Sequence, residues 1–248
     1  KFGAFYDRAI KLGADFVATG HYAKIKDGQL FKAKDQTKDQ AYFLYQLKPA
    51  VLANTIFPVG GLLKSEVRKL AKKFKLPNAG RKDSQGLCFI GKFDFKKFLK
   101  SELKTKSGKV LNERGEEIGY HDGAALYTLG ERHGFTITTK TPNDQPYFIV
   151  AKNVKANNLI VNQNPRESKD QKREVELENV NWFIKPEKGK TYTAQIRYHG
   201  SFLPCQLQLG GLTSKLGVKV IFEEPLTNLA AGQSVVVYAG AQLAGGGV

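Results

Sequence analysis

The sequence has 248 residues, no methionine, and only two cysteines, Cys88 and Cys205. Two thiols cannot build a disulfide framework and suit a reducing compartment, so a cytoplasmic location is expected. Acidic residues are scarce, with 23 Asp and Glu against 39 Lys and Arg and a formal net charge of +16. No apolar run approaches the ~18–20 residues a helix needs to cross a bilayer, which argues against a membrane-spanning helix. The opening residues, KFGAFYDRAIKLGADF, lack the apolar stretch and small-residue cleavage site of a secretory signal, so none is expected. Phosphate-binding and nucleophile signatures are missing too: there is no G-x-x-x-x-G-K-[ST], no G-x-G-x-x-G and no G-x-S-x-G. His21, His121, His133 and His199 are scattered, and neither cysteine has a C-x-x-C partner, so no tightly bound metal is expected. The chain also opens on Lys1 without an initiator, from which we expect an upstream segment.

What is present is mostly positive charge, unevenly placed. Residues 1–92 hold 18 Lys and Arg against 7 Asp and Glu, so +11 of the +16 falls in the first third. A basic surface of that asymmetry points to a polyanion, while a lysine-rich proteome gives the same excess with no such partner. Both readings stand at this point.

The first segment reads as α/β. Phe2, Phe5, Tyr6, Ala9 and Ile10 recur at helical spacing, and Gly13 is placed to end that helix. Residues 15–20 (DFVATG) then read as a short buried strand, the arrangement of a parallel sheet whose ligands bind at strand carboxyl ends. An Asp27-Gly28 turn between residues 22–26 and 29–33 predicts a hairpin. A second helix is predicted over 64–76, with Val67, Leu70, Ala71 and Phe74 as its apolar stripe and Pro77 as its stop. Its other faces carry Lys64, Arg68, Lys69, Lys72, Lys73 and Lys75 against Glu66 alone. That is either a solvated face or a set of phosphate contacts.

After the glycine-containing loop 81–91 comes a short helix around Phe95, Phe98 and Leu99. A hairpin around Arg114-Gly115 and a strand pair over 146–163 follow, so 94–163 reads as a small central domain. Residues 164–174 are polar enough for a linker. Short strands are then expected at 175–180, 192–198, 205–209, 218–222 and 234–238, a small barrel. The closing Gly245-Gly246-Gly247 reads as a low-complexity tract.

Cys88 sits in a polar loop with Arg81 and Lys82 nearby, and cations favour the nucleophilic thiolate. The alternative is a buried, inert thiol against Phe89 and Ile90. Cys205 begins a strand-like alternation and reads as structural. Thr19-Gly20-His21-Tyr22 lies at a strand end, Lys38-Asp39-Gln40 precedes an aromatic run, and Arg197-Tyr198 could pair with a phosphate and stack on a base. A plain helix cap is the alternative for Asp39.

In order, GADFVATGHY, KDQAYFLYQL, FPVGGLLKSEVRKLA, KDSQGLCFIG, GEEIGYHDGAALYTLGERHG, RYHGSFLPC and EEPLTNLAAGQSVVVYAG resemble the tRNA-uridine 2-sulfurtransferases, or 2-thiouridylases. The likeness runs essentially the length of the chain. It implies an α/β ATP-pyrophosphatase-type domain, of which 1–93 would be the C-terminal part, a central β-rich domain (94–163), and a tRNA-binding C-terminal β-barrel (164–248). It also implies ATP, with Mg as its counter-ion, tRNA as substrate, and a persulfide donor protein as partner. Cys88 would carry the persulfide, with its partner cysteine and the S-G-G-x-D-S loop upstream of Lys1. Gly20 would contact ATP; His21, Lys38, Asp39, Gln40, Arg197, Tyr198 and Gln233 would contact tRNA; Asp83 and Ser84 would shape the Cys88 loop. This chain departs from the family at His199-Gly200, where a more polar pair is frequent, and at Glu131, where Gln is usual. A non-catalytic tRNA-binding module that kept the family fold is the alternative.

Overall fold

The structure is a computed structural model that describes residues 1–82, 94–141, 144–164, 171–209, 218–227 and 229–248. It divides into two compact units. The first joins Lys1–Arg81 to Arg173–Glu224 and Ala231–Val248; the second is Lys82–Lys172 with Pro225–Ala230.

In the first unit, α1 (Ala4–Lys11) ends at Leu12-Gly13, where Gly13 takes a φ of +90°. The expected strand is short: β1 (Val17–Ala18) pairs in parallel with β4 (Thr55–Ile56). Between them lie the hairpin β2 (Lys24–Lys26) and β3 (Gln29–Phe31), a 3-10 turn over Ala41–Leu44, and α2 (Pro49–Ala53). Then comes α3 (Lys64–Lys73), the predicted basic helix. Neither α1 nor α3 fully buries a residue: Tyr6, Ala9, Val67 and Ala71 are half-buried, while Phe5, Ile10 and Leu70 are exposed.

The C-terminal strands are β10 (Lys172–Leu177), β11 (Asn181–Trp182), β12 (Thr191–Gln195), β13 (Leu203–Leu209), β14 (Val218–Leu226), β15 (Val235–Ala239) and β16 (Gln242–Gly247). They form one sheet in the order β10-β14-β13-β12-β15-β16-β3-β2, with β11 also on β16. The hairpin from the N-terminal segment therefore continues the C-terminal sheet. Among the described residues no pairing joins β10 to β2, so the sheet does not close into a ring.

The terminal glycines, read from sequence as low complexity, are a buried central strand. β16 pairs with β15 on one side and with β11 and β3 on the other. A Cβ on Gly245 would lie 2.4 Å from the Asn181 carbonyl, and one on Gly246 would lie 2.9 Å from the Tyr45 ring. The backbones approach too closely for side chains there. One core results from both ends of the chain: Ala23, Leu30, Leu44, Tyr45, Leu52 and Phe57 pack with Val236, Tyr238 and Leu243.

Several boundaries differ from expectation. Helix α3 ends at Lys73, with Phe74 as its C-cap, short of the predicted 76. The polar stretch 164–174 supplies the start of β10, which gains its order from pairing with β14. Strand β12 stops at Gln195, because the Gly200 N–H closes a turn on the Arg197 carbonyl and His199 adopts a φ of +60°.

The second unit holds α4 (Phe95–Leu103), capped by the Asp94 carboxylate, and a five-stranded sheet. Its strands are β5 (Gly108–Leu111), β6 (Glu117–His121), β7 (Thr136–Ile137), β8 (Phe148–Asn153) and β9 (Asn158–Asn162). Both predicted hairpins are there, with β5 and β9 running parallel at the centre over Val110, Tyr127, Ile149 and Leu159.

Gly245→Ala is expected to destabilise the first unit by roughly 1–3 kcal/mol, because a backbone carbonyl must give way. Gly61→Ala, which meets nothing within 4 Å, is expected to be near neutral. Urea unfolding of both variants, followed at the single Trp182, checks this.

Candidate nucleic-acid interface

Several of the residues singled out by sequence lie around one loop, residues 32–40, which is fastened at three places. At its start the Lys32 N–H donates to the Ala241 carbonyl, tying it to the turn before β16. In its middle Asp35 reaches the first turn of α3, accepting from the Lys64 N–H at 2.9 Å and from the Thr37 hydroxyl at 2.7 Å. The helix N-terminus thus receives its cap from a distant loop, since Leu63 offers no side-chain acceptor. That same Lys64 N–H bond, followed by Thr37, holds the Asp35 carboxyl below its ordinary pKa. Lys34 adds an ion pair to Glu66 at 3.1 Å.

At its end the loop turns inward. Asp39 is only 9% exposed, and its Oδ1 accepts from the Ala33 N–H at 2.9 Å and the Ala41 N–H at 3.3 Å. Asp39 is thus not the helix cap of the sequence alternative: the residue before the 3-10 turn is Gln40, and Asp39 joins the Ala33 and Ala41 N–H groups across the loop. Burial pushes the Asp39 carboxyl up, against the pull of those N–H groups and Lys32. Lys32 in turn is pushed down by burial; its ammonium sits 3.3 Å from the Phe202 ring centroid and 4.5 Å from that of Tyr238. Gln40 pairs with Tyr22 twice: its N–H donates to the Tyr22 carbonyl at 2.7 Å, and its Oε1 accepts from the Tyr22 N–H at 3.0 Å.

The 196–200 turn faces this loop. Tyr198 packs on Phe43 (4.3 Å between centroids), Tyr42 (6.1 Å) and His199 (3.9 Å). Phe43 is 56% exposed, so the stack is open to solvent on one side. The turn is braced from below, where the Gln195 amide donates to the Gly200 carbonyl and accepts from the Tyr238 hydroxyl. Between loop and turn lies a cleft of about 190 Å³ lined by Gln36, Asp39, Gln195, Tyr198, His199, Gly200 and Phe202. Next to Gln233, Ser234 is held by the Tyr42 hydroxyl, which donates to its carbonyl at 2.8 Å, and by the Tyr45 hydroxyl at 3.0 Å from its Oγ.

Gly20 and His21 lie just past β1, beside the Tyr22–Gln40 pair. His21 lies tilted against Phe2 and edge-on to Phe57, and its Nδ1 lies 2.8 Å from the Thr19 hydroxyl. Burial, with Lys1 adding to it, lowers its pKa to about 4. Its imidazole is therefore neutral at physiological pH and offers a hydrogen bond and a ring face, not a charge. Gly20 is exposed at the carboxyl end of a parallel strand, and a Cβ there would meet nothing within 4 Å, so a ligand can approach its backbone.

The structure thus brings His21, Lys38, Asp39, Gln40, Arg197, Tyr198 and the Gln233-Ser234 segment into one part of the first unit. Cys88, Asp83 and Ser84 lie outside the described residues. Cys205 is fully buried, and burial pushes its thiol up to about 12, which makes it inert as a nucleophile. Among the described residues no group of three or more His, Cys, Asp or Glu could hold a metal ion. Sequence reasoning missed Lys32, Phe43, Gln195 and Phe202. Phe43 and Phe202 lie inside the quoted motifs KDQAYFLYQL and RYHGSFLPC, but nothing local gave either a role, because their meeting depends on the β3–β16 pairing.

With this geometry in place the chain can be set beside known proteins. Residues 1–92 match the tRNA methyl transferase HUP domain, 96–163 the tRNA methyl transferase PRC-barrel domain, and 172–248 the aminomethyltransferase beta-barrel domain. The whole chain aligns with the tRNA-specific 2-thiouridylase MnmA of Neisseria meningitidis serogroup B at 42% identity, covering 67% of that protein. The corresponding proteins of Enterococcus faecalis and Burkholderia pseudomallei are each 40% identical over the whole chain, which covers 68% and 67% of them. The chain belongs to the tRNA-specific 2-thiouridylase family.

Asp39→Ala leaves two N–H groups without their acceptor and is expected to cost roughly 1–3 kcal/mol. Asp39→Asn keeps an acceptor without a buried charge and is expected to be nearly as stable as the parent. Thermal unfolding at pH 7 separates the two outcomes.

Proposed function

We propose that this protein acts in tRNA 2-thiolation, the ATP-dependent transfer of a persulfide sulfur to C2 of the wobble uridine. The observation that carries this reading is the convergence of the 38–40 loop, the Arg197-Tyr198 turn and the Gln233-Ser234 segment in a chain that aligns end to end with 2-thiouridylases. The family descriptions speak of methyl transfer, the relatives of thiolation. We follow the relatives, which match the chain as a whole.

In this reading the aromatic stack of Phe43 and Tyr198 receives a splayed-out base, and the adjacent cleft takes its edge, with the exposed Gln36 amide at its rim. Lys38 and Arg197 meet phosphates. ATP supplies the adenylyl group that makes the uridine O2 a leaving group, and the open backbone at Gly20 would hold it.

Cys88 carries the sulfur delivered by a persulfide donor protein. Its terminal sulfur attacks C2 and AMP departs. A second thiolate then attacks the Cys88 sulfur, forming a disulfide as the electron pair of the broken S–S bond passes to the sulfur left on C2. Cys205 cannot be that second thiolate, being buried and protonated.

The 248-residue sequence contains no S-G-G-x-D-S and no further cysteine. The polypeptide by itself is therefore expected to bind wobble-uridine tRNA without thiolating it. Incubation with that tRNA, ATP and a persulfide donor, read as 2-thiouridine in digested tRNA, checks this. Robust 2-thiouridine formation overturns the predicted inactivity, and absence of tRNA binding overturns the placement of the interface.

A further inference from the structure

We propose that the basic face of α3 is a second phosphate-binding surface, which engages the tRNA backbone beyond the cleft and the 38–40 loop. This rests on the tRNA reading above and extends it to residues that reading does not use.

Helix electrostatics alone do not account for α3. Lys64, Arg68 and Lys72 follow one another at i, i+4 and i+8, and Lys69 and Lys73 form a second row beside them. Like charges at i, i+4 destabilise a helix. The helix dipole favours Lys72 and Lys73 in the last turn but disfavours Lys64 in the first. The one acid, Glu66, is engaged by the Leu63 N–H at 2.6 Å and by Lys34 at 3.1 Å, and Lys69 adds only a weaker pull on it. Among the described residues no carboxylate lies within ion-pair distance of Lys69, Lys72 or Lys73. A polyanion reverses the sign of every one of these repulsions.

The position of the helix selects RNA over an acidic protein. Its first turn is bonded to the 32–40 loop through Asp35 and Lys34. The Lys64 ammonium sits 5.5 Å from the ring centroid of Tyr22, the residue paired with Gln40. From there the rows run about 14 Å along the axis at 1.5 Å per residue, enough to follow several phosphates. The cations thus continue outward from a surface that already offers an open aromatic stack and a cleft for a base.

The test is tRNA binding by the 248-residue chain across a range of salt concentrations. Substituting Lys69→Gln, Lys72→Gln and Lys73→Gln together keeps helix propensity while removing three charges. The slope of log K against log salt should fall in magnitude by about 2–3, at ~0.7–0.9 per phosphate contact. The pair Lys185→Gln with Lys188→Gln, both exposed in the connection before β12, should leave it unchanged. If circular dichroism shows the triple variant unfolded, single Lys69→Gln and Lys73→Gln variants carry the test, each losing ~0.7–0.9. A slope equal to the parent's overturns the proposal and is also the result expected if α3 docks an acidic protein instead. An equal loss in the Lys185/Lys188 control overturns it by showing a net-charge effect. A parent chain that does not bind tRNA overturns both this inference and the reading beneath it.

Discussion

Strand β16 is the constraint on which the rest of the first unit depends. It is the place where chain from the two ends of the sequence must share hydrogen bonds, with β15 on one edge and β11 and β3 on the other. A strand so enclosed cannot carry side chains where a carbonyl or an aromatic ring already stands, and Gly245, Gly246 and Gly247 meet that requirement. The pairing fixes the hairpin, the hairpin fixes where the 32–40 loop departs, and the loop decides where Lys38 and Gln40 stand relative to Tyr198.

The loop itself is held by charges that are mostly spent inside the protein. Asp35 caps a helix it does not belong to, and Asp39 serves two backbone N–H groups from a buried position. Lys32 lies against two aromatic rings. Such groups set geometry. The exposed cations of α3, Lys69, Lys72 and Lys73, face outward instead. This division explains how a chain of net charge +16 can present a defined surface instead of a diffuse positive field.

Local patterns were legible in the sequence. The Asp27-Gly28 hairpin, the existence of α3 and the alternating C-terminal strands follow from nearest-neighbour chemistry, although α3 ends at Lys73, short of the predicted stop at Pro77. The turn at Arg197–Gly200 was read as strand because Tyr192–Tyr198 alternates plausibly, and only the His199 conformation breaks it. β16 was illegible for a clearer reason: a glycine run carries no alternation, and its strand identity comes from neighbours some 60 and 210 residues away in sequence. Cys88, singled out by the family resemblance, lies outside the described residues. The candidate site was visible as separate motifs. The cleft between Asp39 and Tyr198 was not, because it exists only once those motifs have been brought together.

If β16 does join the two ends into one structure, the hairpin cannot open without the sheet. Native-state hydrogen exchange measures this at the Phe31 and Lys32 amides on one side and the Val236 and Val237 amides on the other. The account predicts one opening free energy and one denaturant dependence for all four. Exchange of Phe31 and Lys32 through a smaller, denaturant-insensitive opening, while Val236 and Val237 stay protected, would contradict it.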